Sequence, residues 1–231
     1  MIGRAFLNLT FYISLIVQFI TGIVTLGGVF YKLPKQDKIL LDILALETVV
    51  QLVEGFFYVY IIMSLRHLRN NAVTQRRYLD WIVTTPMMLL STIMYMEYEN
   101  KKQYDKIVNT KEFIFDNKKN ITNMFLFNIL MLISGFLGET RMVNKYVTIP
   151  IGFIFMFLSF NIIYQNYVGN VDINKKIFMF LTIVWGLYGV AAMFPVIIKN
   201  LSYNMLDIIS KNFYGLFLFL KVKELSSINK Y

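Results

Sequence analysis

The sequence contains no cysteine and only one histidine, His67, among its 231 residues. Without cysteine the chain can form no disulfide bond, and it offers no thiolate as a nucleophile or metal ligand. The sequence also lacks a cluster of metal-ligating side chains, a phosphate-binding loop and a nucleophile paired with a base. These absences predict that the chain binds no metal ion and is not an enzyme.

Charged side chains are also scarce, at 16% of the residues, whereas 57% are hydrophobic. Residues 5–31 carry no charge at all. That run is too long for the apolar region of a signal peptide, which spans about 7–15 residues. A soluble domain of this size could not bury so much apolar surface. The composition therefore predicts an integral membrane protein that has the lipid bilayer as its partner.

The net charge of +9 raises the alternative of a nucleic-acid-binding protein. The lysines and arginines, however, lie in short segments between apolar runs, which is the pattern of a membrane protein. We therefore predict no nucleic acid as a partner.

Seven segments are long enough to cross a bilayer, which takes about 20 apolar residues per helix. No alternation of apolar and polar residues indicates strands or a barrel. The sequence thus predicts an all-α, seven-transmembrane-helix bundle in a single domain covering residues 1–231. The predicted spans are 5–30, 40–65, 75–97, 121–138, 146–166, 177–198 and 202–222.

The distribution of basic residues predicts the orientation in the membrane. With seven spans, one side holds the first, third and fifth connections and the C-terminus, with 14 lysines. The other side holds 8 lysines and arginines. Because cytoplasmic connections are enriched in lysine and arginine, we predict the N-terminus outside and the C-terminus in the cytoplasm.

Ionisable residues inside the predicted spans point to function, because they are costly at bilayer depth. Asp207 and Lys211 are four residues apart, on one face of the last span, and Asp80 and Arg77 lie in the third. A desolvated lysine is the usual residue that forms an imine with an aldehyde, and the cation would need carboxylate counterions. The alternative is a buried ion-pair cluster that only fixes helix packing.

Four motifs carry a resemblance to a known family. Residues 77–86 (RYLDWIVTTP) and 207–212 (DIISKN) resemble helices C and G of microbial (type 1) rhodopsins. Residues 185–188 (WGLY) and 135–139 (GFLGE) are similar to their helices F and D, and the motifs come in the order of the family.

This resemblance implies a retinal-binding protein and a role for each matched position. Lys211 would carry all-trans retinal, with Asp80 and Asp207 as counterions and Arg77 beside them. The remaining residues that the resemblance places around retinal are Trp81, Thr84, Thr85, Pro86, Met88, Trp185 and Tyr188. One departure is Gly189, which stands where bacteriorhodopsin-like proteins carry proline.

The third span argues against an efficient proton pump. Pumps of this family carry a carboxylic acid 11 residues after the first aspartate, as the donor that reprotonates the imine. Here that position is Ser91, which cannot supply a proton in the same way. An outward proton pump and a sensory photoreceptor without transport remain as alternative functions.

The second span supplies a positive indication. Glu47, Gln51 and Glu54 fall at i, i+4 and i+7 and form one polar stripe. Such a stripe must face the interior of the bundle or water. It is either a hydrogen-bonded packing contact or part of a hydrated cation path, because rows of carboxylates favour cations.

Together these features resemble the channel-forming viral rhodopsins of giant viruses that infect algae. The resemblance implies a light-gated cation channel that conducts sodium and potassium, in the plasma membrane or another membrane of a host cell. It places Ser14, Asn204 and Asn212 on the path as well. We predict constrictions near Glu54 and Asn204 on the outer side and near Glu47 and Asn212 on the inner side. The sequence leaves a homo-oligomer open.

Overall fold

The structure is a computed structural model that describes residues 2–64 and 70–228, with every side chain in those ranges except at residues 2, 70 and 71. His67, the end of the second predicted span, and Arg66, Arg69 and Lys230, which contribute to the charge counts, lie outside these ranges. Within the described ranges the chain is helical and contains no strand.

The described chain forms six long α-helices, one short one and two that join into a seventh long helix. They are α1 (Ile2–Val29), α2 (Ile39–Ser64), α3 (Asn70–Lys102), α4 (Thr110–Asp116), α5 (Lys118–Glu139), α6 (Lys145–Ile163), α7 (Asp172–Ala191), α8 (Val196–Asp207) and α9 (Phe213–Ile228). A π-helical turn at Tyr164–Val168 extends α6, and a second one at Ile208–Asn212 joins α8 to α9. The prediction of an all-α, seven-helix bundle is therefore confirmed.

The boundary between the sixth and seventh helices was predicted wrongly. The predicted sixth span continues to residue 198, whereas α7 ends at Ala191 and α8 already begins at Val196. Pro195 directly precedes α8. Proline has no backbone N–H and a fixed φ, so it is favoured at the start of a helix. The apolar character of the sequence runs across this turn and hides it.

Local side-chain contacts set other helix ends. Asn109 accepts hydrogen bonds from the backbone N–H groups of Lys111 and Glu112 at the start of α4. Asn144 does the same for Tyr146 at the start of α6. Gly169, with φ of 59°, ends the extension of α6 in a left-handed conformation that glycine adopts without strain.

The helices pack in a closed ring. Each long helix contacts the next along the chain, α5 following α3, and the joined α8 and α9 return to contact α1 and α2. We call the end at which α1 begins the N-terminal end of the bundle. It also holds the α5–α6 and α7–α8 turns. Which side of the membrane this end faces stays a prediction.

The outer face of the bundle is apolar. On α1 alone, Phe6, Ile16, Phe19 and Ile23 are each more than half exposed. Within the described ranges, five helices have the length and hydropathy of membrane spans: Gly3–Val29, Ala72–Lys102, Lys118–Glu139, Lys145–Val168 and Asp172–Ala191. The other two long helices carry most of the buried charges described below. An exposed apolar belt of this size is what contact with lipid requires.

Candidate functional site

The Lys211 side chain lies at the centre of the bundle, surrounded by carboxylates. Its Nζ is 2.9 Å from Asp80 Oδ2, 3.0 Å from Glu54 Oε1 and 3.7 Å from Asp207 Oδ1. All four side chains are at most 2% exposed. The two predicted counterions thus contact the lysine, and a third carboxylate joins them. Sequence reasoning placed Glu54 on the second span but missed its contact with Lys211.

The Lys211 backbone lies in the second π-helical turn, which begins directly after Asp207. Such a turn contains one residue more than an ordinary α-helical turn and is frequent at functional sites. Asp207 and Lys211, four residues apart, lie within contact distance, and Asp80 and Glu54 approach from α3 and α2. The sequence pattern gave no indication of this turn.

Arg77 lies on the side of the lysine nearer the N-terminal end. Its Nη1 donates to Asp207 Oδ2 at 2.8 Å, its Nη2 donates to the side chain of Asn204, and its Nε donates to Asn200 at 3.3 Å. Tyr58 also donates to Asp207 Oδ2, at 2.8 Å. Arg77 is fully buried, so these bonds offset the cost of removing its charge from water.

Asp207 therefore has several partners besides the lysine. Tyr188 donates to its Oδ1 at 2.6 Å, and Arg77 and Tyr58 hold its other oxygen. We refer to Glu54, Arg77, Asp80, Asp207 and Lys211 as the charge cluster. It contains three carboxyl groups and two basic groups, all buried at the centre of the bundle.

An apolar cavity extends from Lys211 toward α5, α6 and α7. Its lining includes five residues that the resemblance places around retinal: Trp81, Thr85, Met88, Trp185 and Tyr188. On the side away from the lysine, Met131, Gly152, Phe153 and Met156 complete it. An apolar, aromatic-lined cavity that ends at a buried amine fits a long, flat hydrocarbon bearing one aldehyde.

Two residues of the predicted pocket do not line the cavity. Trp81, Thr85 and Met88 are spaced i, i+4 and i+7 and so share one face of α3. Thr84 and Pro86 lie to either side of that face. The Thr84 hydroxyl instead donates to the backbone carbonyl of Asp80 at 3.0 Å. A direct contact of these two residues with retinal is not supported.

Gly189, the departure noted in the sequence, also lines the cavity. A Cβ at this position would overlap the ring of Phe153. The missing side chain therefore makes room for an aromatic ring from α6. Neither a proline nor any other residue with a Cβ fits here unless Phe153 moves.

This packing gives a prediction for stability. We expect Gly189→Ala to destabilise the protein by about 1–3 kcal/mol, because it overpacks a filled site. Gly186→Ala, one turn earlier in α7, is the control, because a Cβ there meets nothing within 4 Å. The control should be neutral or stabilising by up to about 1 kcal/mol. Thermal unfolding of the two purified variants measures the difference, and equal melting temperatures would contradict the packing argument.

Polar side chains of α1, α2 and the joined α8 and α9 meet in the interior. Asn212 and Gln18 exchange hydrogen bonds of 2.9 and 3.1 Å, and Asn212 also donates to Gln51 at 2.9 Å. Gln18 donates to Glu54. Glu54 thus contacts the lysine with one oxygen and this amide network with the other.

Glu47 and Asn212, which the sequence places at one inner constriction, do not bond to each other. Asn212 bonds to Gln18 and Gln51, whereas Glu47 accepts a hydrogen bond from Ser91 on α3. Asn212 ends the π-helical turn, which changes the angular position of residues after Lys211 relative to a regular helix. Nearer the N-terminal end, Asn204 bonds to Tyr58 and Arg77 rather than to Glu54.

A buried stripe on α1 was missed in the sequence. Gln18, Thr21 and Thr25 continue from Ser14 at helical spacing, and all four are at most 2% exposed. They carry no charge, so they do not stand out in an apolar span as charged residues do. Their i, i+4, i+7 and i+11 spacing was the available signal. We call the combined set the polar seam: Ser14, Gln18, Thr21, Thr25, Glu47, Gln51, Glu54, Asn204 and Asn212.

Comparison with solved structures shows that the fold is shared with rhodopsins. The chain is similar to viral rhodopsin OLPVRII, with a TM-score of 0.83 and 25% identity over 95% of this chain and 99% of that one. It is also similar to xanthorhodopsin, described as a light-driven ion pump with dual chromophore. The TM-score is 0.76 and the identity 15%, over 99% of this chain and 97% of that one. A third similar structure is halorhodopsin from Halobacterium salinarum, with a TM-score of 0.73 and 14% identity over 99% of this chain and 96% of that one.

Comparison with curated protein sequences gives no match. The family model described as bacteriorhodopsin-like protein matches residues 5–225, which is nearly the whole chain. The chain therefore belongs to the bacteriorhodopsin-like family of integral, multi-pass membrane proteins, whose members bind retinal as their chromophore.

Proposed function

We propose that the protein is a light-gated cation channel that conducts sodium and potassium, with retinal bonded to Lys211. The observation that carries the proposal is the position of Glu54. Its Oε1 is 3.0 Å from Lys211 Nζ, and its Oε2 accepts a hydrogen bond from Gln18 in the polar seam. One carboxylate thus belongs both to the charge cluster and to the proposed ion path.

The polar seam has the composition of a cation path. It places two carboxylates among neutral amides and hydroxyls in the interior of a membrane protein, where polar groups are costly unless they serve a purpose. Carboxylate oxygens attract cations, and amide and hydroxyl oxygens can replace part of their hydration shell. Glu47 Oε2 and Gln51 Nε2 have no hydrogen-bond partner among the described residues. The carboxylate oxygen can contact water or a cation, and the amide nitrogen can donate to water.

Hydrogen bonds cross the polar seam at three levels, which we take as the closures of the proposed path. Near the N-terminal end, Arg77 and Tyr58 bond to Asn204. In the middle, the hydrogen bonds among Gln18, Gln51, Glu54 and Asn212 join α1, α2 and the last helix. Toward the other end, Ser91 bonds to Glu47. Hydrogen bonds between side chains can be exchanged for bonds to water, so each closure is reversible.

Retinal supplies a light-driven change of shape next to the nitrogen of Lys211. Asp80, at 2.9 Å, is placed to take the proton from that nitrogen, which leaves both groups neutral. Asp207 then keeps Arg77, Tyr58 and Tyr188 as partners. Glu54 keeps only its bond to Gln18, because no other cation contacts it in the described part of the chain. Glu54 is therefore the side chain released by the loss of charge, and its release would loosen the middle closure.

A second candidate function is an outward proton pump, and one contact favours it. Ser91 stands where pumps of the family carry the donor carboxylic acid, and here it bonds to the buried carboxyl of Glu47. A carboxyl group from α2 thus lies beside the position that lacks one on α3. The 15% identical xanthorhodopsin is described as a pump, so the shared fold is compatible with either function.

Whole-cell voltage clamp under a light flash distinguishes these functions. For a channel we expect a current that reverses sign with voltage and whose reversal potential follows the sodium and potassium gradients. A pump would instead give outward current at zero voltage that does not follow those gradients. A protein that gives no steady current in coloured, surface-expressed form would be a sensory photoreceptor, and either of these results would reject the channel.

A further inference from the structure

A second, larger cavity lies at the N-terminal end of the bundle, between the α5–α6 turn and the α7–α8 turn. Its volume is about 490 Å³, and its walls include Glu139, Val143, Phe194, Val196 and Lys199. That volume falls within the range of about 300–1,000 Å³ in which proteins bind small organic ligands. The walls are a mixture of polar and apolar groups. This cavity is separate from the polar seam, which lies between α1, α2 and the last helix.

The two cavities share one wall. Five residues line both of them: Tyr78, Gly135, Thr148, Ile149 and Ala192. A single layer of side chains therefore separates the outer cavity from the retinal cavity. Three of the five have small side chains or none, so the wall is thin.

Tyr78 is the large side chain in that wall. A Cβ built on Gly135 would lie only 2.7 Å from the Tyr78 hydroxyl, so the absence of a side chain at Gly135 accommodates the tyrosine. The Tyr78 ring makes edge contacts with Trp81 at 5.0 Å and Phe136 at 5.5 Å between centroids. Tyr78 makes no hydrogen bond with another described residue that would hold its hydroxyl in place. Rotation of this one side chain would connect the cavities.

Polar contacts join the walls of the outer cavity and fix their positions relative to one another. Lys199 on α8 forms an ion pair of 2.6 Å with Glu139 on α5, and both side chains are about nine-tenths buried. Lys145 on α6 donates to the backbone carbonyl of Met193 in the α7–α8 turn at 3.2 Å. A buried ion pair is costly to form and strongly destabilising to break. The outer cavity is therefore a persistent part of the fold.

Retinal has to enter its cavity from the end opposite Lys211. The aldehyde carbon must reach Lys211 Nζ, so the rest of the molecule has to trail toward α5 and α6. The lysine end is closed by the charge cluster. The opposite end, lined by Met131, Gly152 and Phe153, lies beside the wall shared with the outer cavity.

We propose that retinal reaches Lys211 through the outer cavity, with Tyr78 as the side chain that moves aside. This rests on the proposed attachment of retinal to Lys211. In the loading reaction the aldehyde carbon forms a double bond to the lysine nitrogen, and the aldehyde oxygen leaves as water with the two amine protons. The partly polar outer cavity gives that water a way out as well.

The test is the rate at which retinal-free protein becomes coloured after addition of all-trans retinal. Val143→Trp fills the outer cavity from its rim without touching the retinal cavity, since Val143 lines only the former and is 39% exposed. We expect colour to form about tenfold more slowly, equivalent to about 1.4 kcal/mol on the barrier, and to reach the same final absorbance. The control Tyr146→Trp alters a residue of the adjoining helix that is 72% exposed and lines neither cavity, so it should load at the unaltered rate.

The loading rates distinguish entry of retinal through the outer cavity from direct entry from lipid. Should Val143→Trp fail to reach the final absorbance because it misfolds, Val196→Trp blocks the same cavity from the opposite wall. Loading of the folded blocking variant at the unaltered rate would overturn the proposal and favour direct passage from lipid between helices. Absence of colour in the unaltered protein would instead reject the attachment of retinal itself, and with it the proposed function.

Discussion

Replacing Lys211 by alanine is expected to give a protein that stays colourless after addition of retinal and carries no photocurrent. Among the described residues that line the retinal cavity, Lys211 alone bears an amine. Without it no bond to the aldehyde can form, and the charge cluster loses the cation that Asp80 and Glu54 contact at 2.9 and 3.0 Å. The absorption spectrum of the purified protein, and the current of cells that express it, measure both effects.

The matched control is Lys199→Ala. Lys199 is also a buried lysine, at 6% exposure against 1% for Lys211, and it too pairs with a carboxylate. Its loss breaks a buried ion pair and so destabilises the protein, but it leaves the retinal cavity intact, so the folded variant should still become coloured. A coloured Lys211→Ala protein would mean that retinal is held elsewhere or by contacts alone, and the proposed function would then have no basis.

The fold was largely predictable, because a bilayer imposes a simple rule on sequence. Each span needs a run of about 20 apolar residues, and such runs are visible without any knowledge of tertiary contacts. The exception, the turn before Pro195, shows the limit of the rule. Residues 192–194 (AMF) are apolar although they form a turn, so hydropathy alone extends the sixth helix through them.

The site was predictable only in part, for a related reason. Lys211, Asp80 and Asp207 stand out because charges in a membrane are rare and costly. The contact between Glu54 and Lys211 depends on how closely α2 approaches the last helix, and neither local sequence contains that distance. Gln18 and its neighbours on α1 are neutral, so their cost in a span is small and their signal weak. The π-helical turn, which sets the position of Asn212, has no recognised sequence pattern here.

The sequence left two interpretations of the polar stripe on α2, a packing contact between helices or part of a cation path. The contacts of Glu54 show how one stripe can serve as both. The hydrogen bonds of Gln51 and Glu54 in this structure are those of a packing contact between helices. In the proposed channel, the same groups would become ligands for water and cations once the lysine no longer holds Glu54. A channel needs such bistable contacts, because a permanently hydrated path could not be closed in the dark.

Glu54→Gln is therefore expected to reduce the sodium and potassium photocurrent about tenfold or more while the protein stays coloured. Glutamine keeps the shape of the side chain and can still bond to Gln18, but it removes the charge. A hydrogen bond to a charged buried group is worth about 1.5–3 kcal/mol, and tenfold corresponds to about 1.4 kcal/mol. Because the charge beside the lysine nitrogen also changes, the visible absorption band should shift.

Two further variants separate the role of Glu54 in the proposed cation path from its role beside the chromophore. Glu47→Gln removes a carboxylate from the same stripe, two turns from Glu54 and bonded to Ser91 rather than to Lys211. It should lower the current with little change in the absorption band. Glu112→Gln alters the exposed helix α4 and should change neither. If all three variants conducted like the unaltered protein, per molecule of pigment, the cation path would have to lie outside the polar seam.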